Sequence, residues 1–229
     1  MNGIRLLLTE QFPRSSCAIF ASKVMVHAAE RLNIYGEDND ELHRAFRYII
    51  GELRCDAETK LFDDRDISQF SPVQLTKLGF ASGSARLRVF PSLTLDEHFM
   101  IRTRAIGKQG QRAKWVDWAK ERFSVLREVP KTVAGNFSGG EQQILMIALT
   151  LIGLPKLVVI EEPWMGLAHV ASLEFGRAIE ELQRNGTSFV LISQGTVGEG
   201  MMRSPGAGGN AETVYLSEFR YSREARSLM

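Results

Sequence analysis

Two stretches of this chain hold residues whose types and spacing suit phosphoryl chemistry. Leu157-Val158-Val159-Ile160 runs directly into Glu161-Glu162-Pro163. An apolar run of this kind forms a strand buried in a parallel sheet, which leaves both carboxylates at the sheet's carboxyl edge. There one carboxylate can hold Mg²⁺ and the next can orient a water for attack on a phosphoryl group. About twenty residues earlier, Asn136-Phe137-Ser138-Gly139-Gly140-Glu141-Gln142-Gln143 opens a helix. A Ser-Gly-Gly turn at a helix start offers unpaired backbone N–H groups and a hydroxyl to an anion. Ser-Gly-Gly-Glu alone also begins many ordinary helices, and paired Glu residues alone usually end a solvated strand. In this order and at this spacing they are far more specific together than apart, and point to phosphoryl chemistry.

The elements that must position these groups read as α/β. Strands are expected at Ile4–Leu8, Cys17–Phe20, Lys156–Ile160, Ser188–Ile192 and near Thr213–Leu216, with a turn over Pro13–Ser16. Lys23–Ala28 and Arg31–Tyr35 are apolar stretches of ambiguous period. Leu42, Ala45, Phe46, Ile49, Ile50 and Leu53 recur at helical spacing, and further helices are expected over Glu141–Gly153 and Ala171–Arg184. Asp56–Gln69 reads as a polar stretch with a turn at Asp63–Asp66, Ala81–Ser84 as a small-residue loop, and Ser204–Asn210 as a Gly-rich loop. Ser92–Val133 is charged, aromatic and poor in β-branched residues, so it reads as a helical insert. Trp115 and Trp118 read as helix-packing residues, and the basic stretch Arg102–Arg122 as a solvated helix face or a docking face. Strand, helix, strand in this order gives a mostly parallel sheet.

Composition narrows the class. The chain has 229 residues, 44% hydrophobic and 24% charged, with a formal net charge of +1. That length suits one large domain, and the near-zero charge argues against a dedicated nucleic-acid binder. The two cysteines, Cys17 and Cys55, are too few for a disulfide scaffold, and the four histidines show no metal-ligand spacing. No apolar run reaches the ~18 residues of a membrane span, and the first residues lack a signal-peptide layout. A cytoplasmic protein is the expectation, and any work at a membrane would require docking onto something that spans it.

The residues from Leu78 to about Thr196 resemble an ABC (ATP-binding cassette) ATPase, most closely the subunits that power branched-chain amino-acid importers. Phe137–Gln143 resembles the family's signature motif, Leu157–Leu167 its Walker B strand and following loop, Gly166-Leu167-Ala168 its D-loop, and Arg88–Leu95 the segment after its Q-loop. Gln194 stands at the switch position and Glu162 at the general-base position. The resemblance implies a P-loop-NTPase-like (RecA-like) fold with a mostly parallel sheet, a small antiparallel part and a helical subdomain. The implied layout is a single domain: 1–91 and 154–220 as α/β core, 92–153 as helical subdomain, and 221–229 as a basic tail.

The departures from the family pattern are informative. Where a Gly-x-x-x-x-Gly-Lys-Thr phosphate loop is expected, the chain reads Gly36-Glu37-Asp38-Asn39-Asp40-Glu41-Leu42-His43-Arg44. Only Gly36 is kept; Leu42 replaces the Lys, and His43 the Mg²⁺-binding hydroxyl. Four carboxylates surround the place of the phosphates. Two like charges ~4 Å apart repel by about 4 kcal/mol at an effective dielectric near 20, against about 8 kcal/mol for a whole micromolar site. Asp38 with Glu41 reads instead as a capping box that fills the helix end. Glu161 stands for the usual Asp, one methylene longer and a weak metal ligand, and Ser82 and Gly83 occupy the Q-loop region, where two residues are inserted. Phe12 stands where an aromatic would stack on adenine, and a core role fits it equally.

The resemblance therefore implies an ABC-type ATPase homologue unable to bind and hydrolyse ATP alone. ABC sites are composite: the phosphate loop of one subunit closes over ATP against the signature of another. Ser138, Gly139, Gly140, Glu141 and Gln142 would serve an intact partner ATPase, with ATP and Mg²⁺ only at that shared site, and the helical subdomain would dock onto membrane-spanning subunits. A scaffold that keeps the fold for its surfaces, or an active ATPase with an unusual phosphate loop, are the alternative readings.

Overall fold

The computed structural model describes residues 4–10, 24–54, 58–86, 89–128, 132–195 and 211–216. The first strands are β1 (Ile4–Glu10), β2 (Val24–His27) and β3 (Arg31–Gly36), followed by helix α1 (Asn39–Ile49). Next come β4 (Glu58–Phe62), β5 (Arg65–Asp66), α2 (Pro72–Lys77) and β6 (Phe80–Ser84). Helices α3 (Leu95–Ala105), α4 (Arg112–Arg122) and α5 (Val125–Glu128) lead to α6 (Gly139–Leu151). The chain closes with β7 (Leu157–Glu161), α7 (His169–Arg184), β8 (Ser188–Gln194) and β9 (Ala211–Tyr215). The strand and turn expected within 11–23, the Gly-rich loop at 204–210, the tail and Phe12 lie outside the described residues.

The strands form two sheets. One is antiparallel, in the order β2-β1-β4-β5; the other has the order β6-β7-β8-β3-β9, with every neighbouring pair parallel. The large sheet separates two cores. One of them packs α1 and the small sheet against one face through Leu42, Phe46, Ile49, Leu6 and Phe62, all at most 2% exposed. The other packs α6 and α7 against the opposite face through Ile144, Leu145, Ile147, Phe175 and Ile179. This two-faced burial explains why Leu157 to Ile160 and Phe189 to Ile192 read as continuous apolar runs.

Three expectations from the sequence are corrected. Ala81–Ser84 is not a loop but most of β6, the edge strand beside β7. Its small residues have a packing reason: a Cβ on Gly83 would lie 2.5 Å from Met146 Sδ and 2.6 Å from Thr150 Oγ1 on α6. Asp56–Gln69 is not merely polar chain, because it holds the β4–β5 hairpin. Phe62 pairs with Arg65 across Asp63 and Asp64, whose φ values of 46° and 61° make the two-residue turn that matches strand twist. The Lys60 side chain on β4 is fully buried; its Nζ donates to the carbonyls of Tyr48 and Ile49 at the C-terminus of α1. Arg102, finally, does not lie on a solvated face: its Nε donates to the Leu149 carbonyl of α6, and burial lowers its pKa.

The expected helical stretch carries α3, α4 and α5. Trp115 is buried, and its ring meets Trp118 edge-on at 6.1 Å. Trp118 Nε1 donates to Glu181 on α7, and Arg122 forks onto the same carboxylate, so α4 is tied to the α/β core. The Arg122 hydrogen bonds hold the Glu181 carboxyl below its ordinary pKa. Stability from a depressed carboxyl is present above its unfolded pKa, about 4.3, and is lost as pH falls through the lower folded value. At a pair nearly one-third exposed, solvent screening limits this to about 1 kcal/mol. Urea unfolding of Glu181→Gln should therefore show a deficit of that size at pH 7 that shrinks as the pH is lowered toward 3.

Candidate functional site at the carboxyl edge of the sheet

Parallel pairing brings the ends of four strands to one edge. Ser84 of β6 lies opposite Glu161 of β7, Glu161 opposite Ile192 of β8, and Gln194 opposite Gly36 of β3. Residues far apart in sequence are thus neighbours where ligands of open α/β sheets bind.

The Glu161 side chain is 2% exposed and fully engaged. Its Oε2 accepts the Ser84 hydroxyl at 2.6 Å. Its Oε1 lies 2.8 Å from His43 Nδ1 on α1 and 3.3 Å from Arg86 Nε, just beyond β6. A carboxylate accepts at both oxygens, so His43 carries its proton on Nδ1 here. The turn after β6 is fixed in the same network: the Arg86 amide donates to Ser84 Oγ at 3.1 Å, and the Ala85 amide to the Glu161 carbonyl.

Helix α1 begins only three residues after Gly36, so Asn39, Asp40 and Glu41 are helical. Asp38 is the N-cap, as expected: its Oδ1 accepts from the amides of Asp40 at 2.8 Å and Glu41 at 3.2 Å. The reciprocal half of the expected box is not formed; Glu41 does not return a bond to the Asp38 amide. The Leu42 amide takes the Asp38 carbonyl, and the Leu42 side chain is buried against Gly36, where a Cβ would sit 3.3 Å from Leu42 Cδ2.

Glu162 and Gln194 close the same edge. Glu162 has φ 50°, a left-handed conformation uncommon outside glycine, and its Oε1 accepts the Gln194 amide at 2.6 Å. Gln194 Nε2 donates to the Glu37 carbonyl, its Oε1 accepts from Asn39 Nδ2, and the Gly195 amide donates to the Gly36 carbonyl. The switch position is thereby stitched to the segment that follows β3.

The Ser-Gly-Gly turn lies open to solvent. Ser138 is the N-cap of α6, in a capping box completed by Glu141: the Ser138 amide donates to Glu141 Oε2 at 2.6 Å, and the Glu141 amide to Ser138 Oγ. Ser138 and Gly139 are exposed, and a Cβ on Gly139 would meet nothing within 4 Å. A Cβ on Gly140 would meet the Gly166 carbonyl at 3.0 Å, which brings the Gly166–Ala168 segment against the turn. Gln142 is committed locally, its Nε2 donating to the Phe137 carbonyl, and Gln143 bonds the carbonyls of Glu162 and Pro163.

Of the residues predicted from sequence, Gly36, His43, Glu161, Glu162 and Gln194 meet at the sheet edge, whereas Leu42 turns into the core and Ser138–Gln142 form a separate exposed turn. Sequence reasoning missed Ser84 and Arg86, having placed Ser82 and Gly83 in this region. The one signal for Ser84 was its alignment beside Glu161, which only the strand register supplies.

The parallel sheet, the antiparallel sheet and the helices packed against them define the ATP-binding cassette class of fold. A nucleotide-free ATP-binding cassette from an ABC transporter superposes with a TM-score of 0.70 at 16% identity, covering 93% of this chain and 88% of that one. Another ATP-binding cassette of an ABC transporter gives 0.70 at 18% identity, over 86% and 83% of the two chains. The family model described as ABC transporter matches residues 45–165, more than half of the chain, and the chain belongs to that family. It is similar to the high-affinity branched-chain amino acid transport ATP-binding protein BraG of Pseudomonas aeruginosa, with 36% identity over 47% of this chain and 46% of that protein. It is also similar to the probable branched-chain amino acid transport ATP-binding protein LivF of Archaeoglobus fulgidus, with 29% identity over 56% and 55%. These matches span about half the length of the two relatives. Among the described residues, no helix is long and apolar enough to cross a membrane.

The burial of Leu42 makes simple restoration of the lysine unfavourable. Leu42→Lys should cost about 2–4 kcal/mol in urea unfolding, the price of forcing an ammonium into that core. Asp38→Ala, which frees the two capped amides, should cost about 1 kcal/mol.

Proposed function

We propose that this chain is an ABC-type ATP-binding subunit of a membrane transporter or transporter-like complex whose own phosphate loop is degenerate. It works in a heterodimer, lending its signature turn to the ATP site of an intact partner ATPase. The observation that carries this reading is the state of residues 36–43. The amides that would cradle phosphate are capped by Asp38, the lysine position is a buried Leu42, and the hydroxyl position is His43, bonded to Glu161. The family match begins at residue 45, just past this segment.

The metal side of the site points the same way. A Mg²⁺ site needs oxygen lone pairs in an octahedral set. Around Glu161 the nearest groups are the Ser84 hydroxyl and the His43 N–H, which donate to the carboxylate, and the Arg86 guanidinium, which forms an ion pair with it. Such a donor set does not fit a cation, and Glu162, the general-base position, has no phosphates to act beside. Glu161 and Glu162 therefore hold the sheet edge together and carry no hydrolytic step.

The signature turn keeps what a phosphate needs. The amides of Gly139 and Gly140 lie in the first turn of α6, where N–H groups have no intrahelical acceptor. The Ser138 hydroxyl accepts from Glu141 and retains its proton to donate. Across a dimer these groups would bind the γ-phosphate held by the partner's loop. By analogy with BraG and LivF, named for branched-chain amino acid transport, the complex is a transporter, with this subunit peripheral to the membrane and α3–α5 facing the membrane-spanning subunits.

Two measurements test this. Calorimetry of the lone chain with Mg-ATP should show no binding up to about 1 mM; micromolar binding would mean a working loop. In the reconstituted heterodimer, Ser138→Asp preserves the helix cap but sets a carboxylate against the phosphate, so assembly should persist while ATP turnover falls at least about 100-fold. Undiminished turnover would leave the chain a scaffold.

A further inference from the structure

The buried carboxylate at the end of β7 needs a compensating charge, and the structure supplies one that the family pattern does not. We infer that the Arg86 guanidinium is the resident cation of this site, standing in for a divalent metal beside Glu161. The inference rests on the reading that the chain's own phosphate loop is degenerate.

Burying an ionised carboxylate is costly unless it is paired and hydrogen-bonded. Glu161 has 2% of its side chain exposed, while Arg86 is 40% exposed and His43 33%, so the two bases cover the carboxylate from the solvent side. Arg86 brings a planar, delocalised guanidinium to within 3.3 Å of the carboxylate. Its position is not accidental to the turn. The Arg86 amide donates to Ser84 Oγ, and the same hydroxyl donates to Glu161 Oε2, so backbone and guanidinium approach the carboxylate from one rigid two-residue step. The cluster joins three elements, α1 through His43, β6 through Ser84, and β7 through Glu161. Among the described residues, no group of three or more His, Cys, Asp or Glu side chains forms a metal-binding set. What remains at Glu161 is a carboxylate contacted at both oxygens by protein groups. Arg86 is a positioning residue: it acts by fixing Glu161, and through Glu161 the start of α1.

The test uses Mn²⁺ without nucleotide, read by electron paramagnetic resonance and by thermal melting. The wild type should take up no Mn²⁺ at Glu161 up to about 1 mM, and its Tm should not move with the ion. Arg86→Ala should lower the Tm by about 2–4 °C and make it sensitive to Mn²⁺, which now finds an uncompensated carboxylate. Arg86→Lys, which keeps the charge, should remain blind to Mn²⁺. Uptake of one Mn²⁺ per chain by the wild type, lost in Glu161→Gln, would overturn the inference; so would an Arg86→Ala protein with unchanged Tm and no response to the ion. A variant too unstable to purify leaves the wild-type measurement decisive. Because no ATP or partner is present, metal uptake by the wild type removes the resident cation and leaves the lent signature standing, whereas turnover that survives Ser138→Asp does the reverse.

Discussion

A parallel sheet forces the ends of its strands to one side, and whatever charge ends a buried strand must be answered there. In this protein that charge is Glu161, held at the end of β7 between β6 and β8. Its three partners come from β6, from the turn after β6 and from α1. Much of the local architecture follows from satisfying it. The turn after β6 is tight because Ser84 must both accept from Arg86 and donate to Glu161. Helix α1 starts early because nothing external is needed at its N-terminus once Asp38 has capped it.

The same edge is closed by internal hydrogen bonds. Asp38 takes the amides of Asp40 and Glu41, Gln194 spans Glu37 and Asn39, and Glu162 caps the Gln194 amide. Opposite this closed edge stands a turn with the contrary character. Ser138, Gly139 and Gly140 keep small side chains, open approach and free capacity to donate. Under the proposed function, the first is the closed half of a shared site and the second the half lent to a partner.

The sequence made the large sheet legible because burial on both faces writes itself as apolar runs, as in Leu157–Ile160 and Ser188–Ile192. The amphipathic spacing of α1 and α7 was equally plain, and Ser138 with Glu141 announced the start of α6. The missed elements failed for identifiable reasons. Strand β6 is built of small residues because α6 presses on it at Gly83, so it carries no β-branched signal. Strand β4 hides behind Glu58, Thr59 and Lys60, and only pairing with β1 fixes it. Helix α2, which starts at Pro72, was missed because its six residues are too few for a helical period to show. At the site, the family resemblance located Glu161, Glu162, His43 and Gln194, whereas Ser84 and Arg86 depend on strand register, which no linear spacing encodes.

Lys60 has a mechanical consequence. Its ammonium is threaded through the interior from the small sheet to the last carbonyls of α1, over the Tyr48 ring at 4.5 Å. A desolvated cation gives up such carbonyls only at a cost. Hairpin and helix are therefore coupled, and a tilt of the antiparallel strands bears on the same helix that carries His43 to Glu161.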